Sequence, residues 1–60
     1  MNKSWAIVKL KKGKYKAVET YIGSETTEAI KLNGELYTIA DDKEIADIAV
    51  KCLTIMDESG

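Results

Sequence analysis

The last third of the chain carries the clearest periodic pattern. Between Asp41 and Met56, Asp47, Lys51 and Thr54 recur on one narrow polar stripe at 3.6 residues per turn. Ile45, Ile48, Ala49, Val50, Cys52, Leu53, Ile55 and Met56 cover the rest of the circumference. The pattern predicts a helix over 41–56. Asp41 is the expected N-cap and Glu44 the third residue of an acidic capping box. The apolar arc divides in two. Ala46, Ala49, Val50 and Leu53 suit a sheet, whereas Ile45, Ile48, Cys52 and Ile55 repeat at the 3-4-3 spacing of a helix-pairing seam. One sheet covers one stripe, so the second is expected to meet another chain, and a homodimer is the simplest arrangement.

Upstream, the period shortens to two. Trp5–Leu10 is β-rich, Lys11-Lys12-Gly13-Lys14 reads as a turn, and Tyr15–Ile22 alternates, with Tyr15, Ala17 and Tyr21 opposite Val18 and Ile22. A hairpin is expected, its register open between a two-residue and a three-residue bulged turn. Gly23-Ser24 interrupts the pattern. Asn33-Gly34 between Ala-Ile-Lys-Leu and Glu-Leu-Tyr-Thr-Ile then points to a second hairpin with strands near 27–32 and 35–40. The alternative is a helix at 25–31 followed by one strand, a ββαβα order, because Asn-Gly also ends helices in a left-handed C-cap. The expected fold is therefore α+β: a four-stranded antiparallel meander with one C-terminal helix on a face. It forms a single domain over 1–60, with a frayed tail at 57–60. Val8, Leu10, Val18, Ile22, Leu36, Ile39, Ala46, Ala49, Val50 and Leu53 are the expected core.

Composition narrows the functional classes. Sixty residues bury little surface, and such domains often lean on a disulfide, a metal or a partner. Cys52 is the only cysteine and histidine is absent, so an internal disulfide is impossible and neither a metal nor a cofactor is expected. No apolar stretch approaches a membrane span and no secretory segment precedes the first strand, so a cytoplasmic protein without membrane contact is expected. The net charge of −1 hides an asymmetry: residues 1–18 hold six lysines and no acid, and residues 19–60 hold ten acids against three lysines.

Without histidine or arginine, catalysis has no ready base and no anion clamp. Cys52 on the apolar arc reads as an inert hydrophobe, the serines lack a partner base, and no spaced-glycine phosphate loop is present. An enzyme is not expected. Lys9, Lys11, Lys12, Lys14 and Lys16 cluster on the first hairpin with Trp5, Tyr15 and Tyr21, the residue types that neutralise phosphate and stack on unpaired bases. Weak, sequence-tolerant nucleic-acid binding, or docking of an acidic partner, is thus one expectation. The slightly acidic whole and the missing arginine favour another: a small regulatory module of the adaptor or inhibitor type, such as bacterial and phage accessory proteins, acting by contact with a protein partner.

Overall fold

Ala6, Ile7 and Val8 form a run whose side chains alternate between two faces yet are all fully buried. Only a central strand covered on both sides does this. The computed structural model, which describes residues 2–59 and side chains as far as Asp57, places that run in the middle of a three-stranded sheet. In chain order the elements are β1 (Lys3–Lys9), β2 (Tyr15–Tyr21), α1 (Glu25–Lys31), β3 (Glu35–Ala40) and α2 (Lys43–Ser59), and the strand order is β2-β1-β3. Both pairings are antiparallel.

The first hairpin forms as expected, and its turn is the three-residue bulged kind. Gly13 N donates to the Leu10 carbonyl at 2.9 Å, Leu10 N donates to the Lys14 carbonyl at 2.7 Å, and Gly13 takes φ +87°. That geometry pairs Lys9 with Tyr15 and Ile7 with Ala17.

The second hairpin does not form, which overturns the four-stranded meander with one helix. Residues Glu25–Lys31 are helical, as in the alternative ββαβα order, and among the described residues β3 is the only strand that follows. Asn33 and Gly34 end this helix instead of turning a strand. Asn33 sits at φ +55°, its N–H reaches the Ile30 carbonyl at 3.0 Å, and Gly34 N reaches the Ala29 carbonyl at 3.0 Å. Those two bonds are the Schellman pattern, with asparagine in the left-handed position. Gly34 is required for a different reason: a Cβ there would stand 2.6 Å from Val8 Cγ1 and 2.7 Å from the Lys9 carbonyl oxygen. Helix also suits the burial, since Glu25 and Ala29 are buried and Leu32 half-buried at intervals of four and three.

The helices lie on opposite faces of the sheet. Ala29 of α1 packs with Ala6 and Val8, joined by Leu10, Val18, Leu32 and Leu36. Ala46 of α2 packs with Ile7 and Ala40, joined by Trp5, Tyr15, Ala17, Ala49, Val50 and Leu53. Alanine at 6, 29, 40 and 46 lets helix and sheet backbones approach closely. Two expected core residues fall outside: Ile22, beyond the end of β2, and Ile39, on the outer strand, are exposed. The start of α2 also shifts by one residue. Asp42, not Asp41, is the cap: its Oδ1 accepts from Ile45 N at 3.1 Å, and its carbonyl accepts from Ala46 N at 3.0 Å. The helix continues through Ser59, past the Met56 end expected from the sequence; Gly60, the last residue of the tail expected at 57–60, lies outside the described residues.

Candidate interaction surface

α2 meets the sheet through Ala46, Ala49, Val50 and Leu53, the stripe assigned to it from the sequence. Its position is off-centre. Thr54 and Asp57 line a groove with Lys12, Gly13, Lys14 and Tyr15, and Asp47, Val50 and Lys51 line another with Tyr15, Lys16 and Ala17. The polar stripe of the helix therefore faces β2. The opposite flank, turned toward β3 and outward, carries Ile45, Ile48, Cys52 and Ile55. Ile45, Ile48 and Ile55 are 52%, 55% and 62% exposed, and Cys52 is an exposed free thiol in the single chain, not a buried one. Met56, one residue beyond the seam, is 68% exposed and extends it.

Tyr37 adds an aromatic group to this side. It is the extra residue of a bulge, because Leu36 pairs with Val8 and Thr38 with Ile7 while Tyr37 has no register partner on β1. The bulge turns Tyr37 to the α2 face, where its ring meets Tyr15 edge-on at 5.4 Å and 83°. Tyr37 is still 56% exposed. Sequence periodicity missed it because a bulge breaks the alternation on which strand faces are read.

The lysines of the first hairpin are all exposed but do not share a face. Lys9 lies on the α2 side, its Nζ 5.8 Å from the Tyr15 ring centre, whereas Lys16 pairs with Val8 and points to the α1 side. Lys11, Lys12 and Lys14 ring the tip. The aromatics expected to accompany them are mostly withdrawn: Trp5 and Tyr15 pack into the α2 core, and Tyr21 alone of that set stays exposed, at the far end of β2. Beside the tip, Leu10 and Ile30 line a shallow groove with Lys9, Lys11 and Glu35.

A polar cluster at the opposite end fixes α1 to the sheet. Glu25 is buried, and its Oε1 accepts from Gly23 N at 2.8 Å. Buried Ser4 Oγ makes no hydrogen bond of good geometry among the described residues, yet it faces this carboxylate. The Ser4 hydroxyl is the largest influence holding the Glu25 pKa below its ordinary value, followed by the backbone N–H groups of Glu25 and Gly23; burial opposes them. At the same end Glu19 sits 2.9 Å from Lys3 and raises the lysine pKa, mainly by hydrogen bonding. Both side chains are largely exposed, so this pair adds little to stability.

Among the described residues no group of three or more His, Cys, Asp or Glu is placed to hold a metal, and no helix is long and apolar enough to cross a membrane. No protein-family model, curated protein or solved structure matches this chain.

Proposed function

We propose that this chain is a non-enzymatic protein-binding module, a homodimer whose subunits meet through the outer flank of α2. The observation that carries the reading is the placement of three isoleucines, Met56 and Tyr37 on one side of a domain this small, each more than half exposed. Covering an aliphatic side chain completely is worth about 1.5–3 kcal/mol. Half of that, taken over several residues, rivals a stability that for small domains is only about 5 kcal/mol. A second copy covers the surface without any other component, and the remaining faces stay available to a heterologous partner of the adaptor or inhibitor kind.

The alternative is nucleic-acid binding through Lys9, Lys11, Lys12, Lys14 and Lys16. Exposure of all five supports it, and withdrawal of Trp5 and Tyr15 into the core removes its stacking platform. Retention of the wild type on single-stranded DNA at low salt is the result that would favour it.

Sedimentation at several concentrations tests the main reading. Wild type is expected as a dimer, and Ile48→Glu, which brings two like charges into the seam, as a monomer with unchanged circular dichroism. If that variant unfolds, the milder Ile48→Ser gives the comparison. A wild type that stays monomeric at high concentration sinks the proposal.

A further inference from the structure

Resting on the dimer just proposed, the geometry points to a further arrangement: the two subunits pair antiparallel along α2, with the lysine-rich hairpin tip of each at the same end of the dimer as the acidic start of the partner's helix. Three observations favour it. The seam spacing reads the same in both directions, so a two-fold axis beside Val50 sets Ile45 against the partner's Ile55 and Ile48 against the partner's Cys52. Under that axis each residue meets a counterpart of the same seam, as an isologous interface requires.

Charge gives the direction. Asp41, Asp42 and Glu44 stand at the start of α2, beyond Ala40, which pairs with Trp5 at the end of the sheet away from the tip. The last turn of α2 reaches the tip itself, where a Cβ on Gly13 would lie 3.7 Å from Asp57 Oδ2. Helix α2 thus runs from an acidic end of the molecule to a basic one. A parallel pair would stack acid on acid and lysine on lysine. With the axis at residue 50, Asp42 lies about 12 Å to one side and the partner's tip at a similar height, at 1.5 Å per residue. The tip lies on the β2 flank of its own α2, across that helix from the seam, so the opposed charges are about two helix diameters apart, ~20 Å. That is inside the Debye length of about 30 Å at 0.01 M salt and well beyond it at physiological salt, so the attraction steers pairing at low ionic strength and is lost as salt is added.

Area agrees as well. Ile45, Ile48, Ile55, Met56 and Tyr37 expose on the order of 600 Å² per chain. A two-fold pair covering them removes about 1,200 Å² from water, the lower bound of specific interfaces.

Charge reversal tests the arrangement. Lys11→Glu with Lys12→Glu forms one variant, and Asp41→Lys with Glu44→Lys the other; the Asp42 cap is left intact, and circular dichroism checks folding. Each variant alone is expected to self-associate at least about tenfold more weakly than wild type at low salt, and a 1:1 mixture to recover the loss as a heterodimer. Wild-type dimerisation should weaken between low and high sodium chloride. Variants that dimerise like wild type with no salt dependence, while Ile48→Glu is monomeric, overturn the antiparallel charge pairing and leave the α2 dimer standing. A lysine variant that dimerises normally but loses retention on single-stranded DNA also overturns it, by assigning the tip to nucleic acid. A monomeric wild type removes both readings.

Discussion

Glu25 links three elements through one carboxylate: it opens α1, accepts from the Gly23 N–H that follows β2, and faces Ser4 of β1. Its folded-state pKa lies below the ordinary 4.5, so as pH falls the unfolded chain takes up the proton first. The carboxylate therefore adds stability above about pH 4.5 that is lost as pH falls through the lower folded-state value. Glu25→Gln keeps an acceptor for Gly23 but no charge. Denaturant titrations from pH 7 to pH 3 should show the variant less stable than wild type at neutral pH, the two converging in acid. Parallel curves would show that the charge contributes nothing. A buried glutamate of this kind was not legible in the sequence, where Glu25 looks like any exposed acid of a polar stretch. Its role depends on Ser4 lying across from it, a long-range fact. Asn33-Gly34 was legible but double-valued, because positive φ serves a hairpin and a helix C-cap equally. The contact that decides it, Gly34 against Val8 and Lys9, is again tertiary.

At the scale of elements, patterns that depend on neighbours along the chain were readable and those that depend on layers were not. The first hairpin and the two stripes of α2 follow from local period and composition, and they are where the sequence places them. Residues 25–31 carry too short a pattern to choose between periods. There the sheet decided: the connection over residues 22–34 leaves Ala6 and Val8 to be covered on one face, and the seven-residue helix α1 within it, about two turns long, covers them. The second cover is why β1 is buried on both faces; Ile39, paired with Ala6 but on an edge strand, stays exposed. The one-residue shift of the α2 cap is within the ordinary blur of helix ends, yet it separates two adjacent aspartates by function. Asp42→Ala should cost about 1 kcal/mol through loss of the bond to Ile45 N. Asp41→Ala, which keeps that bond, should change stability by no more than about 0.5 kcal/mol. Equal losses from both in urea titrations would mean the cap bond does not form in solution.

For the whole molecule, covering both faces of a narrow sheet leaves α2 with more apolar surface than the sheet can take. The three layers, α1, sheet and α2, leave that flank exposed among the described residues, so association there would be linked to folding: whatever binds the folded form stabilises it. Cys52 reports this linkage directly. It is exposed in the single chain and, under the proposed axis, lies opposite the partner's Ile48. Its reaction with a thiol-specific disulfide reagent should be rapid at high dilution and slow as concentration rises, in proportion to the fraction paired. In Ile48→Glu it should stay rapid at every concentration, because the seam no longer closes. The same experiment at high salt ought to speed labelling of the wild type if hairpin and helix charges attract across the pair. A thiol that reacts at one rate in wild type and variant, from dilute to concentrated solution, would mean that Cys52 never enters an interface and that the flank faces water in the working molecule.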